Sequence, residues 1–163
     1  MNAVLVNGEL TDTISARDRG FQYGDGVFET IAVRHGKPLL WERHVQRLLA
    51  GAVRLGMSAS DASLLQIEAE QLCRGVDRGV LKIILTRGVS ARGYRADAAA
   101  PPTRVLSLST WPDYPAAWAQ DGVSVRWCRT RLASQPRLAG IKHLNRLEQV
   151  LARAEWDDEY AEG

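Results

Sequence analysis

Only three lysines, Lys37, Lys82 and Lys142, stand among the 21 Lys and Arg residues of this 163-residue chain. Any chemistry that needs a side-chain amine therefore has three candidates. Lys142 follows Leu138-Ala139-Gly140-Ile141, at the start of a segment that reads as a helix from Ile141 to Trp156. An ammonium at that place faces the positive end of the helix dipole. Apolar neighbours would also desolvate it, and both effects lower a lysine pKa and release the neutral, nucleophilic amine. A solvated surface lysine is the competing reading from position alone. Lys82 lies inside a strand with Ile84 on its own face. There a lysine pairs with a carboxylate, snorkels at a sheet edge or points into a cavity. Lys37 sits in a hairpin turn and reads as solvated.

Arg47 follows His44 on a helix, away from the apolar stripe of Trp41, Val45 and Leu48. A guanidinium can hold a phosphate in a bidentate fork; the alternative is a surface arginine paired with Glu42 or Glu68. The loop Thr86-Arg87-Gly88-Val89-Ser90-Ala91-Arg92-Gly93-Tyr94-Arg95 combines arginines with glycines that let a ligand approach the backbone. It fits an anion site or a merely flexible loop, and lacks the lysine and glycine spacing of a P-loop. Gly24-Asp25-Gly26 is a bare GxG without the third glycine of a dinucleotide fingerprint. His35, His44 and His143 have no metal-ligand spacing, and no Gly-x-Ser-x-Gly elbow is present.

The elements that must position these groups follow from patterning. Val4-Leu5-Val6 is a short strand closed by the tight-turn dipeptide Asn7-Gly8. Ser15 to Gly20 reads as a turn or short helix, and Tyr23 to Gly26 as a loop. Val27 to Arg34 is a strand that His35-Gly36-Lys37 turns back into Pro38-Leu39-Leu40. Trp41, Val45, Leu48, Leu49 and Ala52 mark a first helix ended by Gly56. Ser60-Asp61 caps a second, carried by Leu64, Leu65, Glu68 and Leu72 and ended by Gly75. Val80 to Thr86 is nearly continuously apolar, as expected of a strand covered on both faces. Arg87 to Ala100 is a long loop, of the kind that is often functional. Arg104 to Thr110 and Val123 to Trp127 are predicted strands, Arg129 to Gly140 is irregular, and the last helix places Leu144, Leu147, Val150 and Leu151 on one face. Hairpins, then two helices, then strands predict an α+β fold.

The bulk properties narrow the function classes. A 45% hydrophobic, 25% charged chain has the balance of a soluble globular protein. A net charge of +2, spread along the chain, gives no argument for nucleic acid. No apolar run approaches the roughly 20 residues of a membrane span, and Met1-Asn2-Ala3-Val4 lacks the basic segment and apolar core of a secretory signal. Cys73 and Cys128 are isolated thiols, which argues against zinc or a disulfide framework and for a reduced, cytoplasmic setting.

Three segments resemble the class IV aminotransferase-like, pyridoxal-phosphate-dependent enzymes, a family that includes branched-chain and D-amino-acid aminotransferases. They are Phe21-Gln22-Tyr23-Gly24-Asp25-Gly26-Val27-Phe28-Glu29-Thr30, His44-Val45-Gln46-Arg47-Leu48 and Gly79-Val80-Leu81-Lys82-Ile83-Ile84-Leu85-Thr86-Arg87-Gly88. The segment Leu138-Ala139-Gly140-Ile141-Lys142-His143-Leu144-Asn145-Arg146-Leu147-Glu148-Gln149-Val150-Leu151 resembles the aminodeoxychorismate lyase branch of that family. Branched-chain transaminases would carry a tyrosine shortly after the lysine, and none occurs between Lys142 and Trp156. The resemblance runs from about Val4 to the C-terminus.

The resemblance implies fold type IV, like the D-amino-acid aminotransferases. It implies pyridoxal 5'-phosphate held covalently by Lys142, with Arg47 on the cofactor phosphate. Thr30 would face the reacting atoms, while Arg92, Tyr94 and Lys82 would contact substrate. The implied reaction converts 4-amino-4-deoxychorismate to 4-aminobenzoate and pyruvate in a homodimer, with neither nucleic acid nor membrane as partner. An aminotransferase of branched-chain or D-amino acids, and an inactive structural fragment, are the alternatives. Members of the family continue into most of a second domain, which supplies a carboxylate for the pyridine nitrogen and a phosphate-binding turn. This chain stops at Gly163. The expectation is therefore an N-terminal portion: a complete α+β domain over residues 1–128, then a connector and the first helix of the cofactor-binding domain over 129–163, with weak cofactor binding by this chain alone.

Overall fold

The computed structural model describes residues 3–58 and 60–163; the expectation about Met1-Asn2 at the start of the chain lies outside them. The chain divides into two compact units. One holds the chain up to Trp111 together with Gly140–Leu144; the other holds Pro112–Ala139 and Asn145–Gly163.

The first unit is built on one antiparallel sheet of six strands. The strands are β1 (Ala3–Val6), β2 (Glu9–Leu10), β3 (Gly26–Arg34), β4 (Lys37–Pro38), β5 (Arg78–Thr86) and β6 (Thr103–Thr110), in the order β2-β1-β6-β5-β3-β4. Its helices are α1 (Arg19–Tyr23), α2 (Trp41–Arg54) and α3 (Ala62–Cys73). The two hairpins turn where the dipeptides require it. Asn7-Gly8 and His35-Gly36 each place two residues at positive φ (52° and 89°, 48° and 76°), the conformation that matches the twist of the flanking strands. The Asp61 carboxylate accepts from Ser63 N and caps α3.

One face of the sheet is the core. Val27, Ile31 and Val33 of β3, Leu81, Ile83 and Leu85 of β5, and Leu106 and Leu108 of β6 pack against Leu48 and Ala52 of α2 and Leu65, Ala69 and Leu72 of α3. Burying each Val, Ile or Leu among them stabilises by roughly 1.5–3 kcal/mol. The other face carries Phe28, Thr30 and Ala32 of β3, Val80, Lys82 and Ile84 of β5, and Val105 and Ser107 of β6, all partly or fully exposed. This corrects the expectation for Val80–Thr86: burial alternates along β5, so the strand is covered on one face only.

In the second unit, α4 (Ala117–Asp121) and α5 (Leu147–Arg153) are short. Val123–Trp127 is not a strand; within it only Val125 makes a bridge, to Glu162. The Glu155 carboxylate ties its own loop, accepting from Arg129 N, Thr130 N and the Thr130 hydroxyl. Those hydrogen bonds, the one from Arg129 N first, hold its pKa down to about 2. The predicted helix from Ile141 to Trp156 is shorter at its start by six residues, because α5 begins at Leu147.

Candidate active site

The displaced helix start changes the setting of Lys142. Ile141–Leu144 runs alongside the first residues of β3: Phe28 N donates to Lys142 O (2.9 Å), Leu144 N donates to Gly26 O (3.0 Å) and His143 bridges to Val27. These hydrogen bonds hold the segment extended, which a helix beginning at Ile141 would forbid. The helix-dipole argument for Lys142 therefore falls. What fixes its place is a clip with one residue in the core: Ile141 is 7% exposed.

Two glycines make the approach possible. A Cβ on Gly51 of α2 would lie 3.2 Å from both Ile141 Cγ2 and Val27 Cγ1, and a Cβ on Gly26 would meet Leu85 O at 2.5 Å and Leu144 Cδ1 at 2.9 Å. Bare backbone lets the Lys142 segment close on both β3 and α2.

Because side chains alternate along an extended chain, Ile141 in the core sends Lys142 towards the open face. Its Nζ stands 4.5 Å from the centre of the Phe28 ring. Lys82 Nζ stands 5.4 Å from the centre of that same ring. Thr30 follows Phe28 on this face, and its register partner across the β3–β5 ladder is Lys82. On the far side Lys82 is paired with Ser107 of β6. Lys142 and Lys82, two residues singled out in the sequence, thus stand near one aromatic ring, and Thr30, a third, is the register partner of Lys82. Lys82 is on a central strand and makes no ion pair among the described residues, so neither sheet-edge snorkelling nor a carboxylate partner describes it.

Arg47 is placed from the core side. Neither Glu42 nor Glu68 is its partner; Glu68 is taken by Arg104 (2.7 Å). Glu29, wholly buried on the core face of β3, accepts from Arg47 Nε at 2.5 Å and Nη2 at 2.6 Å. It also meets His44 Nδ1 at 2.8 Å. Burial pushes the Glu29 carboxyl up, but hydrogen bonds and charge from Arg47 and His44 outweigh it and hold the group below its ordinary range. Arg47 itself is about half exposed, at 53%, and its other terminal nitrogen is uncommitted among the described residues. It lies one helical turn before Gly51, where Ile141 packs.

Arg92 and Tyr94 are exposed and belong to a different cluster of the same unit. Arg92 lines a shallow hollow with Arg17, Gln22, Tyr23, Val89, Ser90 and Ala91, and the Tyr94 ring meets Tyr23 edge-on at 5.6 Å. No contact described joins them to Lys142.

Sequence reasoning assigned no role to Phe28, Glu29, His44 or Ser107. Glu29 was detectable as a carboxylate at a core position of an alternating strand (Val27, Glu29, Ile31, Val33), which demands a basic partner. His44 and Arg47, three apart on one helix, supply it. Ser107 left no signal, since its place follows from register alone.

A phosphorylated aldehyde cofactor suits this donor set. A partly buried amine beside an aromatic face and a pre-oriented guanidinium with spare donors are what it needs from this chain. No group of His, Cys, Asp and Glu among the described residues could hold a metal. Burial pushes the Cys73 thiol up to about 11, which leaves it unreactive near neutrality. No described helix is long and apolar enough to cross a membrane.

Comparison with known proteins finds relatives of this chain. The Amino-transferase class IV family matches residues 26–162. An aminodeoxychorismate lyase of Vibrio harveyi is 38% identical over 152 residues, which cover 93% of this chain and 56% of the relative. A crystal structure of 4-amino-4-deoxychorismate lyase from Pseudomonas aeruginosa superposes with a TM-score of 0.91 at 52% identity, covering 97% of this chain and 58% of that one. The PLP-bound form of a hypothetical aminotransferase from Mycobacterium tuberculosis gives 0.69 at 27% identity, covering 94% and 58%. The chain thus spans somewhat over half the length of these relatives. Its α+β fold is that of the fold type IV enzymes, and the chain belongs to the class IV aminotransferase family.

Proposed function

We propose that the protein is a pyridoxal-phosphate-dependent lyase that converts 4-amino-4-deoxychorismate to 4-aminobenzoate and pyruvate. The observation that carries this reading is the meeting of Lys142 and Lys82 at the Phe28 ring on the open face of the sheet, with Thr30 in register with Lys82. The 52% identity to a lyase, against 27% to an aminotransferase, favours elimination over transamination. The bound cofactor supplies an electron sink that acidifies the ring carbon bearing the substrate's amine.

In this reading Lys142 holds the cofactor covalently at rest. With the cofactor bound to the substrate, the neutral Nζ of Lys142 would take the proton from the amine-bearing carbon. The pair of electrons left behind expels the neighbouring enolpyruvyl ether oxygen, and the ring becomes aromatic. Thr30, through its hydroxyl or a water it holds, donates to that departing oxygen. The Lys82 ammonium, opposite Thr30, suits a substrate carboxylate. Arg47, held by Glu29, takes the cofactor phosphate, and Arg92 and Tyr94 meet the substrate from their loop. Cytoplasmic location and a homodimer belong to the same proposal.

The test is product analysis with pyridoxal phosphate present. Equal amounts of 4-aminobenzoate and pyruvate from 4-amino-4-deoxychorismate, with no keto acid formed from D-alanine or a branched-chain amino acid, support the lyase. The reverse pattern favours an aminotransferase.

A further inference from the structure

Arg19 is a buried arginine outside the site described above. At 3% exposure it opens α1 and spreads its guanidinium over four acceptors. Nε donates to Asp25 Oδ2 at 2.8 Å. Nη1 donates to Gly93 O at 2.8 Å and to the Ser90 hydroxyl at 3.2 Å, and Nη2 to Tyr94 O at 3.3 Å. Arg19 N donates to Gly88 O (2.9 Å) and Asp18 bridges to Val89, so one residue engages both the root and the tip of the segment. The Arg19 guanidinium also lies 4.8 Å from the centre of the Tyr23 ring, against which Tyr94 packs.

The other side of the clamp is fixed. Asp25 accepts in addition from Arg87 Nε (2.7 Å) and Nη2 (3.1 Å), and Arg87 donates to Leu55 O and Gly56 O, both at 2.7 Å, just past the end of α2. The Ser90–Tyr94 segment has no helix or strand of its own. Its carbonyls are ordered by a planar fork of five N–H groups, a geometry an ammonium cannot reproduce.

We propose that Arg19 is a positioning residue: its guanidinium templates Ser90–Tyr94 and so sets where Arg92 and Tyr94 stand towards substrate. The template follows from the contacts above, whereas its bearing on substrate rests on the reading of Arg92 and Tyr94 under Proposed function.

The test pairs amide hydrogen exchange with calorimetric binding of 4-amino-4-deoxychorismate, on this chain with pyridoxal phosphate present. In Arg19→Lys, exchange at Ser90–Tyr94 is expected to rise by about tenfold or more while β3 and β5 keep their protection. The substrate dissociation constant is expected to rise by about tenfold or more. Ser90→Ala, which removes a single acceptor, gives a smaller rise confined to the same segment and keeps the test decisive should Arg19→Lys unfold. Unchanged exchange at Ser90–Tyr94 in both variants, or loss of protection throughout the sheet in Ser90→Ala, overturns the template. Arg92→Ala separates the two layers. If it weakens binding while loosened Arg19→Lys binds normally, the positioning role is overturned. If loosened Arg19→Lys and Arg92→Ala both bind normally, or the unaltered protein binds nothing, the reading of the loop as substrate-facing fails, and with it the functional half of the proposal.

Discussion

The wholly buried Glu29 carboxylate holds Arg47 through two parallel hydrogen bonds of 2.5 and 2.6 Å, and reaches His44 with the oxygen that takes the second. Core and candidate site meet in this pair, since the carboxylate sits on the apolar face of β3 and the guanidinium extends towards solvent. Replacing Arg47 by Ala leaves a buried charge with His44 alone, so a loss of about 3 kcal/mol in urea unfolding is expected. Affinity for pyridoxal phosphate, followed by absorbance titration, is expected to drop by tenfold or more (about 1.4 kcal/mol) for want of the phosphate fork.

The same carboxylate sets an acid limit. Its folded pKa lies below the ordinary value of 4.5, as does that of Asp25 below 3.8 under the pull of Arg87 and Arg19, which overcome desolvation. A depressed carboxylate contributes stability in full above its unfolded pKa and loses it as pH falls through the folded one. Stability is therefore expected to be flat with respect to these two groups above about pH 5 and to fall below it. Glu29→Gln is expected to flatten part of that acid limb in chemical denaturation at a series of pH values. An acid limb of unchanged slope speaks against the pairing.

Gly26→Ala tests the clip that places Lys142. Its new Cβ would meet the Leu85 carbonyl oxygen at 2.5 Å, which cannot move without breaking the β3–β5 ladder. A destabilisation of about 1–3 kcal/mol is expected, with a lower yield of cofactor fixed by borohydride. Gly51→Ala, whose nearest neighbours are side chains at 3.2 Å, is expected to cost less.

Thr30→Val keeps the shape of the side chain and removes the hydroxyl. Turnover is expected to fall by about a hundredfold, while the cofactor fixed by borohydride stays near the level of the unaltered protein. Lys82→Met, by contrast, is expected to act chiefly on KM. Equal loss of cofactor binding in both variants would assign them to the fold and not to the chemistry.

Much of the first unit is legible in the sequence because local signals and tertiary packing agree there. Asn7-Gly8 turns, Asp61 caps, the periods of β3 and α2 match their buried faces, and that of α3 does so at Leu65, Glu68 and Leu72 while Leu64 stays exposed. Disagreement begins where packing overrides pattern. Leu144, Leu147, Val150 and Leu151 have helical spacing, yet Ile141–Leu144 is taken by backbone bonds to Gly26 and Phe28, while Leu147, Val150 and Leu151 stay exposed at 60% or more. Val123–Trp127 has the composition of a strand but finds no ladder. Apolar content alone gave β5 two covered faces, because Val80 and Ile84 look like core residues and only the structure leaves them half-buried. Of the candidate site, residue scarcity and family resemblance reach Lys142, Arg47, Thr30 and Lys82. The approach of two amines to the Phe28 ring, and the Glu29 carboxylate paired with Arg47, depend on strand register and helix placement.

The most direct measurement is to incubate the chain with pyridoxal phosphate, reduce with borohydride and map the phosphopyridoxyl-lysine among Lys37, Lys82 and Lys142. The expected result is a single modified residue, Lys142, and loss of the adduct in Lys142→Ala although both other lysines remain. An adduct on Lys82 or Lys37 in place of Lys142, or an adduct that survives Lys142→Ala undiminished, would contradict the assignment of the cofactor amine.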